Sequence, residues 1–168
     1  MKHLIMFLGF FALISCKEKS RQEASLNENE EIEVYDFAGL ESLLRTDDDR
    51  TYVVNFWATW CKPCIEELPY FEALQAEHGD EVKVILVSLD FPDKLESQLK
   101  PFVEKRNIKA QVALLDDPYE NEWIPKVDKS WSGAIPATLI FNKSKRVFYE
   151  GSFTQESLNE EIIKFIKI

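Results

Sequence analysis

Apolar and polar positions fall into short blocks that predict strands and helices in alternation. Residues 52–57 (Tyr-Val-Val-Asn-Phe-Trp) are uncharged and rich in β-formers, which predicts a buried strand. Residues 82–89 form a nearly continuous apolar run, the pattern of a strand covered on both faces. Ahead of them, residues 32–37 fit a first strand. Leu40, Leu43 and Leu44 suggest a short helix, closed by Asp47-Asp48-Asp49. Between the two central strands, Ile65, Leu68, Phe71 and Leu74 recur at helical spacing. That helix should run to His78, stop at Gly79 and kink at Pro69, which has no N–H for the preceding turn.

The second half continues the alternation. Asp93 is positioned to cap a helix with Leu95, Leu99, Phe102 and Val103 on one side, irregular around Pro101. Residues 111–115 form a short strand, and residues 116–130 carry turn signals at Asp117-Pro118 with one helical turn near Trp123. Residues 137–141 and 146–150 read as a hairpin joined by Asn142-Lys143-Ser144-Lys145. Thr154 then caps a last helix with Leu158, Ile162, Ile163 and Ile166 on its apolar face. Parallel units followed by an antiparallel hairpin imply an α/β fold, a mixed central sheet flanked by helices on both faces.

The chemistry sits where the first central strand meets its helix. Cys61-Lys62-Pro63-Cys64 occupies that turn. Unpaired N–H groups and the helix dipole favour an anion at a helix start, here a Cys61 thiolate, and Pro63 suits a first turn that needs no N–H. The Lys62 charge should act in the same direction. Such a thiolate attacks a disulfide, and Cys64, three residues on, is placed to resolve the mixed disulfide as the more buried thiol. The pair is then its own redox group, and no other cofactor is required.

The N-terminus changes the picture of where this happens. Met1-Lys2-His3 is a short basic start, residues 4–14 are almost wholly apolar, and Leu13-Ile14-Ser15-Cys16 follows. The apolar run is too short for a permanent bilayer span and fits a signal-peptide core. Leu-Ile-Ser-Cys resembles a bacterial lipobox, which implies cleavage after residue 15 and lipidation of Cys16. An ordinary signal peptide with an incidental Cys16 is the alternative. Residues 16–31, charged and polar, read as a flexible tether, and residues 32–168 as one domain. Removing residues 1–15 takes the formal charge from −10 to −11 by loss of Lys2. An acidic surface of that kind excludes nucleic-acid binding. With Cys16 assigned to lipid, two thiols and His78 are too few for a structural zinc site. A purely structural staple closes too short a loop to restrain much of the unfolded chain.

Trp60-Cys61-Lys62-Pro63-Cys64, with Phe56-Trp57-Ala58-Thr59 before it, Pro69 in the helix and Ile135-Pro136-Ala137-Thr138 later, resembles the thioredoxin superfamily over residues 32–168. The leader, Glu66-Glu67-Leu68-Pro69 and the insert before Ile135 are similar to its TlpA/ResA-like branch of membrane-tethered, extracytoplasmic thiol-disulfide oxidoreductases. The resemblance implies a thioredoxin-like fold and a cis bond at Pro136. It implies that the Ile135 backbone pairs with substrate and that electrons come from a membrane thiol relay. Disulfide-bearing extracytoplasmic proteins would be the substrates, apocytochrome c among them. Cytoplasmic thioredoxins carry a buried Asp six residues before the first cysteine; here Asn55 stands there and cannot accept a proton. Glu67, three residues after Cys64 and on the same helix face, matches the acidic residue of the branch. Partly desolvated, with a raised pKa, it would shuttle the proton of Cys64; the plain alternative is a solvated surface glutamate, as expected of Glu66. Trp60 would shield the disulfide and offer an apolar contact, whereas Trp57, Trp123 and Trp131 read as packing. Two other functions remain open, a thiol peroxidase of the peroxiredoxin type and a non-enzymatic module delivering Cu(I).

Overall fold

The computed structural model describes residues 31–45 and 48–166. The signal peptide, Cys16 and nearly all of the expected tether lie outside the described residues. Six strands form one sheet: β1 (Glu33–Tyr35), β2 (Thr51–Trp57), β3 (Val82–Ser88), β4 (Gln111–Leu115), β5 (Ala137–Phe141) and β6 (Arg146–Glu150). Their order is β1-β4-β3-β2-β5-β6. The first four run parallel, and β5 and β6 add antiparallel at the β2 side. The helices are α1 (Phe37–Leu40), α2 (Lys62–His78), α3 (Lys100–Arg106), α4 (Glu120–Val127) and α5 (Gln155–Ile163).

Strand alternation explains why β2 reads as apolar throughout. Val53 and Trp57 face a core shared with Leu68, Phe71 and Leu74 of α2 and with Leu158 and Ile162 of α5. Val54 and Phe56 face the opposite core, with Phe37 of α1 and Trp123 and Val127 of α4. A strand buried on both faces has no place for charge. Asn55 belongs to the first face and is its polar exception. The expected order of elements and the mixed sheet between helices are observed, as is the packing of Trp57, Trp123 and Trp131.

Three local expectations are corrected. Phe37 does not end β1: the Asp36 carboxylate accepts a hydrogen bond from Gly39 N–H at 2.8 Å and starts α1, so Phe37 turns inward to stack on Trp123. Asp93 caps nothing and sits in a 3-10 turn (Pro92–Lys94). A π-helical turn (Leu95–Leu99) follows, placed just before Pro101, which has no N–H to continue the α-helical ladder backward. Ile163 is exposed, leaving Leu158 and Ile162 to pack α5. Gly79 ends α2 in right-handed backbone, where a Cβ would come within 2.8 Å of the Gln75 carbonyl oxygen.

α5 begins with a reciprocal cap. Thr154 Oγ1 accepts from Ser157 N–H at 3.1 Å, and Ser157 Oγ accepts from Thr154 N–H at 2.9 Å. Each satisfies a donor that a helix start leaves unpaired. Because residue 153 enters the core immediately before this cap, the cap also fixes the backbone there. Thr154→Ala should lower the unfolding free energy by about 1 kcal/mol, measured by urea denaturation at constant pH.

Candidate active site

β2 is rigidly paired on both sides, so it delivers residues 58–61 to a fixed point above the sheet. Cys61 ends that segment with extended backbone and is the N-cap of α2. It is joined to Cys64 by a disulfide, with the two Cα atoms 5.3 Å apart. Cys64 N–H points at Cys61 Sγ at 3.4 Å, so a reduced Cys61 has a helix-start donor aimed at its sulfur. Cys64 is fully buried, whereas Cys61 retains 6% exposure. Of the two cysteines, Cys61 is the one that keeps any exposed surface. Lys62 contributes less than its position suggests. Its Nζ lies 3.8 Å from Glu66, and both side chains are largely in solvent, where such pairs are screened.

The loop before β5 closes over the pair. The Ile135–Pro136 peptide bond is cis, and the Ile135 carbonyl oxygen lies 3.8 Å from Cys61 Sγ. Trp131 Nε1–H donates to the Ala134 carbonyl at 2.8 Å, and the Ser132 N–H and hydroxyl each donate to Glu150 at 2.7 Å. The two Ser132 bonds anchor the loop to β6. They also hold the Glu150 carboxyl below the usual carboxylate range, the Ser132 hydroxyl first. Trp60, beside Cys61, is 61% exposed and flanks the disulfide from the solvent side.

Glu67 is not a solvated helix glutamate. Only 1% exposed, it lies one turn after Cys64 on the inner face of α2. Its Oε1 accepts from Asn55 Nδ2–H at 2.9 Å, and its Oε2 from Phe153 N–H at 2.8 Å. Burial pushes its carboxyl up to about 7, against the Phe153 and Asn55 donors, which hold it down. A carboxyl near neutrality is suited to moving a proton in either direction. Glu66, by contrast, is exposed.

Sequence reasoning assigned no role to two participants. Asp90, buried, accepts from Thr59 N–H at 3.0 Å, from the Thr59 hydroxyl at 2.5 Å and from the Ser88 hydroxyl at 2.7 Å. It thereby pins the segment that carries Trp60 and Cys61 to the end of β3. Thr138 of β5 accepts from Asn55 Nδ2–H at 3.1 Å. A polar residue at the end of one apolar run, Ser88-Leu89-Asp90, and one inside another, Ala137-Thr138-Leu139, was the available signal.

A parallel sheet extended by an antiparallel hairpin, with a cysteine pair at the start of α2 facing a cis-proline loop, defines a thioredoxin-fold thiol-disulfide protein. Comparison with known proteins makes the family specific. The model of the AhpC/TSA family matches residues 24–150, and the chain belongs to that family. The thiol-disulfide oxidoreductase ResA of Bacillus thuringiensis subsp. konkukian is 31% identical over 140 residues, covering 82% of this chain and 70% of that protein. The thioredoxin-like protein YneN of Bacillus subtilis is 32% identical over 104 residues, covering 60% of this chain and 61% of its own length, so the chain spans less than two thirds of YneN. The solved thiol:disulfide interchange protein of Chlorobium tepidum superposes with a TM-score of 0.59 at 19% identity, covering 77% of this chain and 88% of that one, a likeness of fold. The chain is thus an enzyme of the thiol-disulfide oxidoreductase class.

The raised Glu67 carboxyl has a consequence for stability. Its folded pKa of about 7 lies above the ordinary value of 4.5, so between those limits the folded state binds more proton than the unfolded one. Stability from this group is fully present below about 4.5 and is lost as pH rises through about 7. Denaturation across this window should show wild-type stability falling with pH relative to Glu67→Gln, whose profile lacks that component.

Proposed function

We propose that the protein reduces disulfides of other proteins outside the cytoplasm, with Cys61 as nucleophile, Cys64 as resolving thiol and Glu67 as proton carrier. The observation that carries this reading is the slightly exposed Cys61 bonded to a fully buried Cys64, one helical turn before a buried, near-neutral carboxyl. In the reduced protein the Cys61 thiolate attacks one sulfur of the substrate disulfide. A Cys61–substrate S–S bond forms, and the other substrate sulfur leaves as a thiolate that takes a proton from solvent. Cys64 then gives its proton to the Glu67 carboxylate and attacks Cys61 Sγ, so the Cys61–Cys64 bond forms and the mixed disulfide breaks. The released substrate sulfur takes up the proton. Two electrons have passed from the cysteine pair to the substrate, and no cofactor beyond the pair takes part.

Ile135 and Pro136 flank the attacked position. The Ile135 backbone pairs with an extended substrate segment, as added strands do, and Trp60 supplies the apolar contact beside it. The leader and Cys16 reading support a lipid-anchored location in the bacterial envelope. Among the described residues, no helix is long and apolar enough to cross a membrane. Electrons then return through a membrane thiol relay, and apocytochrome c is one fitting substrate, since its haem cysteines must be reduced before attachment. The thiol-peroxidase alternative has less support. Thr59 stands two residues before Cys61, and its hydroxyl is engaged by Asp90.

Equilibration of the Cys61–Cys64 pair with glutathione or dithiothreitol at neutral pH tests the direction of exchange. A potential near about −270 mV fits the proposed reductase, and one near about −120 mV would make the protein an oxidant instead. Cys61→Ser should abolish reduction of a protein disulfide, and Cys64→Ser should accumulate the mixed disulfide. Peroxide consumption, or tight stoichiometric Cu(I) binding without exchange, would replace the proposal with one of its alternatives.

A further inference from the structure

We infer that the Asn55 amide and the Thr138 hydroxyl form a hydrogen-bond relay that inverts when Glu67 gains or loses its proton, making Asn55 a positioning residue for both forms of the carboxyl. The inference starts from an unpaired atom. Asn55 is fully buried, and its Nδ2 serves both Glu67 Oε1 at 2.9 Å and Thr138 Oγ1 at 3.1 Å. Its Oδ1 is buried with no hydrogen-bond partner among the described residues. Such an orphan acceptor inside a strand is costly unless some state of the protein uses it.

Protonated Glu67 is that state. Its Oε2 faces the Phe153 N–H, a backbone group that only donates, so the acid's hydroxyl must sit on Oε1. Opposite Oε1 stands an amide nitrogen, which cannot accept. A half-turn about Asn55 χ2, a broad two-fold torsion, brings Oδ1 to that place. Its two lone pairs then accept Glu67 Oε1–H and Thr138 Oγ1–H together. Thr138 can reverse its part because a hydroxyl accepts in one setting and donates in the other. Asn55 and Thr138 are cross-strand partners in the β2–β5 register, so the inversion needs no backbone shift. Inversion exchanges an orphan oxygen for an orphan amine, a cost that the new Glu67 Oε1–H and Thr138 Oγ1–H bonds must offset. Glu67 chooses between the settings.

No charged side chain competes at the carboxyl among the described residues. Burial and the Phe153 and Asn55 donors account for its shift. β2 presents Asn55, β5 presents Thr138 through Asn55, and the segment before α5 presents a backbone N–H. On α2 itself Cys64, one turn before Glu67, is held in the disulfide, Lys62 and Glu66 pair with each other in solvent, and Glu72 accepts from the Lys109 and Ala110 N–H groups; no charge on the helix contributes to the Glu67 shift. An Asp at position 55 would set a second anion against Glu67; an apolar residue would leave Oε1 without a partner in both forms of the acid. The consequence for turnover rests on the proposed role of Glu67: a carboxyl that must act as base and then as acid finds a matching hydrogen bond each time.

Neutron diffraction of the oxidised, deuterated protein at about pH 5 and about pH 9, on either side of the Glu67 pKa of about 7, reads the amide directly. The expected result is Asn55 Nδ2 facing Glu67 and Thr138 at the higher pH. At the lower pH Oδ1 should face both, with a deuteron on Glu67 Oε1. One unchanged amide orientation at both values overturns the relay. A parallel disulfide-exchange assay of wild type separates the two ideas, because failure to exchange refutes the proposed function and leaves the amide result standing.

Discussion

The buried Glu67 carboxyl is the constraint around which the site is assembled. A carboxylate removed from water must be hydrogen-bonded or neutralised. Here it is held by two donors from separate parts of the fold, the Asn55 amide of β2 and the Phe153 N–H ahead of α5. Burial outweighs both donors, and the carboxyl comes to rest near 7. Had α2 been turned by one residue, Glu66 would take that place and the charge carried to solvent would be Glu67. The apolar face of α2, with Leu68, Phe71 and Leu74 in the core, prevents this. Helix packing therefore sets which glutamate lies beneath the cysteines.

The cysteine pair depends on the same framework. Cys61 receives its N–H donor because α2 starts there, and α2 starts there because β2 ends in a segment tied to β3 through Asp90. The cis-proline loop is anchored independently, by Ser132 on Glu150 and by Trp131 on Ala134. Two separately braced segments thus converge on one sulfur atom. Preorganisation of this kind limits the rearrangement needed when a substrate disulfide arrives.

Much of this was legible in the sequence, and what was not has a common physical cause. Strand and helix order follow from period and punctuation, which are local properties. Cys61, Cys64 and Glu67 are legible because a single helix start holds them all. Asp36 as the cap of α1 was hidden because a strand end and a cap look alike until the partner N–H is known. The π-turn before Pro101 announced itself as irregularity without revealing its form. The unread part of the site consists of contacts across long stretches of chain. Glu67 meets Phe153 across 86 residues, Asn55 meets Thr138 across 83, and Thr59 meets Asp90 across 31. No periodicity carries such information; only the sheet register brings those residues together.

Two buried carboxylates near one disulfide then divide the work by their surroundings. Asp90 accepts three hydrogen bonds from Thr59 and Ser88, all within segments that end at the site, and its geometry is spent on holding those segments. Glu67 accepts two, one from a fixed backbone donor and one from an amide that can turn. A fully committed carboxylate is a brace. A carboxyl with one adaptable partner can change its protonation state without leaving a proton unsatisfied. Asn55 therefore suits this strand better than an acid would: it supplies donor and acceptor on one side chain while leaving the titration to Glu67, next to the thiol whose proton must move.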